Sequence, residues 1–202
     1  MMLMPPIPGS VTDGVPLAAG GGYSGRMSEQ QVHDDPVGGQ RLAFTRGTDA
    51  DGADTILVEC WVDPGGGVPP HIHPHFEEVF DVVEGEMTFT AGRGKKKVPA
   101  GESITVPPGT RHAYANRSGA PAYMRCTAKP PADLESFLVT AARLAREGHT
   151  RRIGPLRGPG SLRGLPQVAA LLKDHRENTL ILNPPPTVQR LLLDPLAKYA
   201  KR

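Results

Sequence analysis

The sequence has few aromatic residues, no strong excess of charge and no long hydrophobic run. Phe, Trp and Tyr make up 5% of the 202 residues, so aromatic platforms that stack on single-stranded nucleic acid are not expected. The formal net charge of +2 is too close to zero to indicate a nucleic-acid-binding protein. No window approaches the roughly 18 consecutive apolar residues that a membrane-spanning helix requires. We therefore expect neither nucleic-acid binding nor a transmembrane segment.

Cysteine is also scarce, and the N-terminus lacks the pattern of a secretory signal. The first ten residues, MMLMPPIPGS, have no basic start and contain three prolines where a signal peptide has an apolar run. Cys60 and Cys126 each lie in an apolar, strand-like stretch. Without a secretory signal, buried free thiols are expected rather than a disulfide. These features predict a cytoplasmic protein.

Residues 1–30 contain many Gly and Pro residues and show no hydrophobic period. This composition indicates a flexible arm, and we extend the predicted arm over residues 1–39. Met27 opens a stretch that resembles a natural start, so the sequence leaves the true first residue open.

From residue 40 the pattern changes to short apolar or alternating segments separated by Gly and Pro turns. Eight strands are predicted: 40–47, 55–62, 78–83, 86–91, 95–98, 103–106, 111–116 and 122–128. Short strands at regular spacing are typical of an antiparallel sandwich or a small barrel. We therefore predict a mainly β domain over residues 40–129.

Beyond residue 129 the hydrophobic period becomes helical. Helices are predicted at 132–147, 165–177 and 187–202, and the glycine- and arginine-rich stretch 149–164 is predicted as a loop. The first helix carries an apolar face: Leu134, Phe137, Leu138, Ala141, Leu144 and Ala145. We expect this face to pack against the exterior of the barrel or of a partner's barrel.

Charge divides at the same boundary. Residues 1–129 have a net charge of −4, whereas residues 130–202, the predicted basic helical extension, have a net charge of +6. We favour attraction between the extension and its own or a partner's barrel, and the alternative is an anionic partner or membrane surface. For the leucines of the last helix, Leu191, Leu192, Leu193 and Leu196, docking on the barrel is favoured over membrane association.

The histidines concentrate in one segment. His71, His73 and His75 occupy alternate positions and precede Glu77 and Glu78. Because residues two apart on a strand point to the same side, His71 and His73 can aim into one space. Two histidines and one carboxylate form the facial arrangement that leaves positions open on Fe(II), Mn(II) or a similar ion. Either glutamate fits this spacing.

A fourth candidate ligand lies further along the chain. His112 follows the tight turn Pro107-Pro108-Gly109 and begins a predicted strand. In a barrel this strand can lie beside the first histidine segment, so that ligands from two separated hairpins converge in the interior.

These two segments closely resemble the two motifs of the cupin superfamily. The first motif is matched by Gly65, His71, His73, Glu78 and Gly85. The second motif is matched by Gly101, Pro107, Gly109, His112 and Asn116. The fifteen residues between the motifs are similar to the spacing of small microbial single-domain cupins. The extension resembles that of a bacterial group of single cupins with C-terminal helices.

The resemblance implies a cupin-type double-stranded β-helix, a jelly-roll barrel, with C-terminal α-helices. It implies one divalent transition metal, Fe, Mn, Ni, Zn or Cu, bound by four ligands: His71, His73, Glu78 and His112. The motif spacing to Gly85 selects Glu78 over Glu77. It also implies turn roles for the motif glycines and Pro107, and a structural role for Asn116.

The remaining candidates are assigned to surface or core. His75 is expected at the rim or surface, and His33, His149 and His175 are expected to be solvated. Six residues are expected in the cavity lining or the plain barrel core: Phe80, Val82, Phe89, Val106, Tyr114 and Tyr123.

Cupins include dioxygenases, isomerases, epimerases, decarboxylases, cyclases, lyases and non-enzymatic binders, so the resemblance constrains the fold more than the reaction. It implies a metal-dependent enzyme acting on a small organic molecule. A dioxygenase similar to the quercetinases is the first expectation, narrowly ahead of a cyclase or isomerase. The alternative is a non-catalytic, metal-containing binding or sensor protein. Many cupins are dimers, so a homodimer whose interface includes the extension is also compatible with the resemblance.

Overall fold

The computed structural model of the protein describes residues 31–153 and 156–200. The strands of the barrel are β1 (His33–Asp35), β2 (Gln40–Thr48), β3 (Asp54–Val62), β4 (Gly67–Ile72), β5 (Glu77–Glu84), β6 (Glu86–Ala91), β7 (Gly94–Pro99), β8 (Ser103–Val106), β9 (His112–Ala115) and β10 (Ala122–Lys129). The extension contains α1 (Leu134–Arg146), β11 (Thr150–Ile153), β12 (Leu156–Pro159), a 3-10 turn (Leu162–Gly164), α2 (Leu165–Asp174) and β13 (Leu180–Ile181). It continues with α3 (Pro186–Val188), a π-helical turn (Gln189–Leu193) and α4 (Asp194–Ala197).

Two antiparallel sheets form the jelly-roll barrel. One has six strands in the order β1-β2-β3-β10-β5-β8, and the other has five in the order β13-β4-β9-β6-β7. Neighbouring strands along the chain are therefore often in different sheets, as in a jelly roll. The predicted mainly β barrel with C-terminal helices is confirmed, and all eight predicted strands are present within one or two residues at their ends.

The core lies between the two sheets, and strands such as β3, β5, β9 and β10 bury alternate residues toward it. In β10 the even-numbered positions from Ala122 to Ala128 are buried and the intervening residues are half-buried. The largest side chains in this core include Ile56, Phe76, Phe89 and Met124, each 1% exposed or less. Cys60 and Cys126 are free and buried, as predicted.

A glycine sets the distance between the two strands that carry histidines. A Cβ atom at Gly67, where β4 begins, would lie 2.3 Å from the carbonyl oxygen of Tyr114 on β9. The backbone φ of 150° at Gly67 is also one that other residues rarely adopt. Glycine is thus required for β4 and β9 to approach each other beside the site.

The loop between β9 and β10 is stabilised by Asn116, which is fully buried. Its side-chain amide donates hydrogen bonds to the carbonyl oxygens of Val62 and Ala120 at 2.9 and 2.8 Å. Its Oδ1 accepts one from the backbone N–H of Ser118. These contacts agree with the structural role that the resemblance implies for Asn116.

Helix α1 packs against the barrel of its own chain. Leu134 belongs to the barrel core, and Phe137 and Leu144 form a second hydrophobic cluster with Leu171 of α2. Glu135 accepts a hydrogen bond from Arg46 on β2 at 2.8 Å. The predicted apolar face of the helix is therefore used, and hydrophobic burial accounts for most of its docking because the exposed ion pair adds little.

Three parts of the structure differ from the sequence-based expectation. Strand β4 was not predicted, because Pro69 and Pro70 argue against a strand. The predicted loop 149–164 contains the hairpin of β11 and β12, in which Thr150 pairs with Pro159. Strand β1 lies within the segment 1–39 assigned to an arm, and it pairs with β2. Residues 1–30 and the proposed start at Met27 lie outside the described residues.

The leucine cluster of the last helical segment does not dock as a unit. Leu191 and Leu192 are exposed, with 75% and 61% of their surfaces accessible, whereas Leu193 and Leu196 are half-buried. The π-helical turn and the short helices change the helical phase, so the four leucines do not share one face. No helix among the described residues is long and apolar enough to span a membrane.

Candidate metal centre

The barrel brings the four predicted ligand residues together. His71, His73, Glu78 and His112 are all buried, and their potential ligand atoms lie within 4.8 Å of one another. His71 on β4 is directly opposite His112 on β9 in the five-stranded sheet. His73 follows the end of β4, and Glu78 reaches the same space from β5 in the six-stranded sheet. The site therefore lies between the two sheets, inside the barrel.

Each of the three imidazoles is oriented by a backbone carbonyl. The Nδ1 atoms of His71, His73 and His112 lie 2.9 Å from the carbonyl oxygens of Pro69, Asn178 and Thr110, respectively. A carbonyl oxygen can only accept a hydrogen bond, so each Nδ1 carries a hydrogen, and in the neutral ring Nε2 is left with a free lone pair. This second contact of the ring is the arrangement that fixes the tautomer of a metal-binding histidine.

The unprotonated nitrogens face a carboxylate oxygen. Glu78 Oε2 lies 2.8 Å from His112 Nε2 and 3.5 Å from His73 Nε2. Among the described residues, both Glu78 Oε2 and His112 Nε2 are buried without a hydrogen-bond partner. Lone pairs that face each other in a buried space repel unless a cation lies between them. The donor set therefore fits a metal ion, with three nitrogen ligands and one oxygen ligand suited to a divalent transition metal.

The protonation states at neutral pH suit this role. Burial lowers the pKa of His71 well below its usual value, and the neighbouring His112 and His73 lower it further. Burial also lowers the pKa of His73. Burial alone would raise the pKa of Glu78, but the surrounding imidazoles outweigh it and hold that pKa at about 2. Neutral imidazoles and an ionised carboxylate are the ligand forms that a metal requires.

Two further side chains position the ligands. The thiol of Cys126 donates a hydrogen bond to Glu78 Oε1 at 3.5 Å, which leaves Oε2 directed at the histidines. The ring of Phe76 stacks on that of His73, with 4.2 Å between ring centroids. Burial and the nearby Glu78 charge raise the pKa of Cys126 well above its usual value, so its thiol stays protonated and is not a ligand at neutral pH.

The C-terminal extension completes the surroundings of the site. Strand β13 adds to the edge of β4, with Ile181 opposite His71. Immediately before it, the Asn178 carbonyl holds His73, and Thr179 Oγ1 lies 3.3 Å from the same Nδ1 atom. The extension thus supplies one of the three carbonyls that orient the imidazoles.

A small chamber remains beside the four candidate ligands. Its volume is about 40 Å³, and its walls include Phe80 and Tyr114 of the barrel and Leu134, Phe137 and Leu138 of α1. Because a water molecule needs about 10–15 Å³ of such volume, this chamber has room for an ion with one or two small groups.

The structure also shows where the other residues considered in the sequence analysis lie. His75 is exposed, as expected, and Glu77 is half-buried beside the site rather than within the cluster. His175 was expected to be solvated, but its side chain is 14% exposed and its Nδ1 lies 2.6 Å from Asp133 Oδ2. This expectation was wrong because the pairing joins the ends of α1 and α2, which are far apart in sequence. Tyr123 was a candidate cavity residue, but it stacks on Trp61 outside the chamber.

Sequence reasoning missed several residues of the site. Phe76 and Cys126 are ordinary core residues by pattern, and nothing in the motif spacing connects them to the histidines. Asn178 contributes through its backbone carbonyl, 105 residues from His73, and a backbone carbonyl leaves no signal in side-chain identity. The apolar face of α1 was recognised, but its position over the chamber was not.

Comparison with known proteins agrees with this geometry. Residues 58–127 match the cupin domain family model, a range that includes all four candidate ligands and most of both sheets. Residues 58–127 therefore form a cupin domain. The cupin match ends before α1, so the extension lies outside the shared domain.

Several known proteins are similar to part of the chain. An uncharacterized protein of Methanocaldococcus jannaschii is 31% identical over 80 residues, which are 40% of this chain and 64% of that protein. The germin-like protein 1-1 of Oryza sativa subsp. japonica is 42% identical over 64 residues, which are 29% of this chain and 30% of that protein. The chain thus spans less than two thirds of either relative. A solved RmlC-like cupin of Shewanella frigidimarina is 22% identical, with a TM-score of 0.47, and covers 57% of this chain and 97% of that one.

Proposed function

We propose that this cupin is a metal-dependent enzyme that acts on a small organic molecule. The observation that carries the proposal is the buried set of three imidazoles and one carboxylate, whose potential ligand atoms all lie within 4.8 Å of one another. His71, His73, Glu78 and His112 would hold one divalent transition metal, which would supply a Lewis-acid or oxygen-activating centre. The metal belongs to the group Fe, Mn, Ni, Zn and Cu, as expected from the resemblance.

The chemistry of the chamber favours an oxygen-dependent reaction of the dioxygenase type. A cyclase or isomerase must move protons on its substrate, which usually requires a positioned acid or base. Apart from His71, His73 and Glu78, the described residues that line the chamber are apolar side chains, two protonated thiols and Tyr114. The Tyr114 hydroxyl donates a hydrogen bond to Gln40 Oε1 at 2.9 Å and is directed at that amide.

In this proposal the protein's own residues orient the candidate ligands and enclose the chamber beside them. The three backbone carbonyls keep the hydrogens of the imidazoles at Nδ1, so that every Nε2 is available. Cys126 orients Glu78, and the side chains of α1 exclude bulk water from the chamber, which strengthens electrostatic interactions there. The apolar walls also limit side reactions with water.

Metal analysis of protein purified without chelating resin tests the ligand assignment. We expect about one divalent metal ion per chain, and the His71→Ala/His73→Ala double variant should lose it while remaining folded. The His33→Ala/His75→Ala double variant removes two histidines that lie outside the cluster and serves as the matched control. Equal metal content in all three proteins would contradict the assignment.

Labelled dioxygen tests the reaction class. A dioxygenase transfers both oxygen atoms of dioxygen to its product, so mass spectrometry should detect two heavy oxygen atoms. An isomerase or cyclase leaves the elemental composition of its substrate unchanged.

The alternative is a non-catalytic metal-containing binding or sensor protein. It is favoured by the small volume beside the ligands and by the cover that α1 forms over them. A binder would release its ligand unchanged, so turnover of any bound molecule by the metal-loaded protein would exclude it.

A further inference from the structure

A second and larger cavity lies between the barrel and the extension. Its volume is about 270 Å³, close to the lower end of the range of roughly 300–1,000 Å³ for small-molecule sites. One wall is formed by the barrel at Val68 and Pro69. The other walls come from the extension, including Ala141 of α1 and Val168 of α2. We call this cavity the apolar chamber.

The polar residues of the apolar chamber are few and mostly engaged. Among the described residues of the lining, four have polar side chains: Asp35, Gln40, Thr150 and Asn183. Asp35 accepts hydrogen bonds from the Gly38 backbone N–H at 2.9 Å and from Gln40 Nε2 at 3.3 Å. Gln40 in turn accepts one from Tyr114. The chamber therefore offers a ligand mainly hydrocarbon surface.

One polar atom of a lining residue has no hydrogen-bond partner within the described part of the chain. Thr150 Oγ1 is buried and has no hydrogen-bond partner among the described residues. A buried hydroxyl without a partner carries an energetic cost that a ligand oxygen can relieve.

The apolar chamber adjoins the small chamber of the metal centre. Val68, Phe137, Leu138 and Ile181 line both cavities. The space beside the ligands, about 40 Å³, is too small for an organic molecule of ordinary size. A molecule that reaches the metal centre with one end must therefore place the rest of its body elsewhere. The adjoining chamber offers that space once the side chains shared by the two cavities move apart to open a passage.

We propose that the apolar chamber binds the hydrocarbon part of the substrate, a molecule of roughly ten carbon atoms with an oxygen-bearing group at the end near His71 and Glu78. The size follows from volume, because an apolar cavity of about 150 Å³ holds the six carbon atoms of benzene. The orientation of the molecule, with its polar end toward the metal centre, rests on the proposed function. The hydrocarbon site itself rests on the chamber alone.

Calorimetric titration of the full-length protein with straight-chain saturated carboxylic acids tests this site. Each added methylene group should tighten binding by about three- to fourfold, as expected for its burial in an apolar site. The increase should stop at roughly ten carbon atoms, when the chamber is filled. Absence of binding, or affinity that does not depend on chain length, would overturn the proposal.

Two substitutions on α1 form a matched pair. Ala141 lines the apolar chamber, whereas its neighbour Thr140 does not, and both side chains are half-buried. Ala141→Phe should fill the chamber and weaken binding of decanoic acid by at least about tenfold, while Thr140→Phe should leave it nearly unchanged. Equal affinity in both variants would count against the site.

A third variant enlarges the chamber and remains informative if Ala141→Phe does not fold. Leu165 lines the chamber and is half-buried, so Leu165→Ala should add volume at a moderate cost in stability. The chain length at which affinity stops rising should increase by about two to three carbon atoms, given the volume occupied by each carbon in such cavities. An unchanged limit would contradict the assignment.

The same titrations separate this inference from the proposed function. If both hold, metal-loaded protein should bind decanoic acid more tightly than metal-free protein, with the same dependence on chain length. If the chamber binds hydrocarbon but the centre does not engage the polar end, the chain-length dependence should persist without any effect of metal. Metal-dependent binding that is insensitive to chain length and to Ala141→Phe would overturn the chamber proposal while supporting the metal centre.

Discussion

The barrel and the C-terminal extension contribute to the same centre in different ways. The barrel supplies every candidate ligand side chain, and two of its backbone carbonyls orient His71 and His112. The extension supplies no ligand but contributes the Asn178 carbonyl on His73 and the side chains of α1 over the chamber. The cupin domain thus supplies the candidate ligands, and the extension covers the space beside them.

The two regions also differ in packing. The barrel has a single large core in which most inward-facing residues are almost completely buried. The extension has a small cluster around Phe137, Leu144 and Leu171, and it leaves Leu162 86% exposed. A loosely filled layer against a close-packed barrel explains why the larger cavity lies between them.

The largest expected contrast is in stability. Ile56 is fully buried on the central strand β3. Ile56→Ala should lower the free energy of unfolding by about 4 kcal/mol, because the surrounding side chains cannot collapse into the cavity that it leaves. Leu171→Ala in the extension should cost about 2 kcal/mol, since Leu171 retains some exposure and borders an existing cavity. Chemical denaturation measures both. A larger loss at Leu171 would show that the extension, rather than the barrel, dominates folding stability.

The second contrast lies within the barrel and separates two neighbouring glutamates. Glu78→Gln should weaken metal affinity by at least about 100-fold, because it removes a ligand charge. Glu77→Gln should change affinity by less than about threefold, since Glu77 lies outside the cluster and acts only through charge at a distance. Competition titration with a chelator measures both constants. The opposite order would show that the strand carries the other glutamate to the site.

Two truncations test how much the extension contributes to the centre. A chain ending at Arg176 lacks the Asn178 carbonyl, so metal affinity should fall by about 10- to 100-fold, as for loss of other partners of metal-binding histidines. A chain ending at Leu182 retains that carbonyl and β13, so it should keep most of the affinity. Far-UV circular dichroism controls for folding. Equal affinities in the two truncated proteins would show that the barrel alone forms the complete centre.

The smallest expected effect concerns the end of the extension. Arg176 donates two hydrogen bonds to Asp194, at 2.8 and 2.5 Å, and thereby joins α2 to α4. Asp194→Asn should cost less than about 1 kcal/mol, because the pair is near the surface. Asp174→Asn, at an exposed position on α2, is the matched control and should cost less.

The pH dependence of this pair has a definite sign. The hydrogen bond from Arg176 lowers the pKa of Asp194 below its usual value. The contribution of the pair is therefore present above the ordinary carboxyl range and is lost as pH falls through the lowered pKa. Thermal unfolding of wild type and Asp194→Asn should converge at acidic pH, and a constant difference would contradict this account.

Much of the barrel could be predicted because its signals are local. Strand alternation and Gly or Pro turns located eight strands. The resemblance to the two cupin motifs then implied the four residues that the structure brings together, His71, His73, Glu78 and His112. Strand β4 was not among the eight predicted strands, because prolines such as Pro69 and Pro70 are unusual in a strand. The hairpin of β11 and β12 escaped because its glycine and proline content resembles that of a loop.

The sequence by itself determined the mainly β class, because alternation and turn residues act locally along each strand. Its resemblance to the two cupin motifs implied the fold family and the candidate ligand set. Only the tertiary structure decided that β13 joins β4, that the Asn178 carbonyl meets His73 and that the two cavities share a wall. These features arise where segments distant in sequence pack together. Every residue has a backbone carbonyl, and a cavity corresponds to no residue type. A sequence pattern therefore cannot predict where either of them lies.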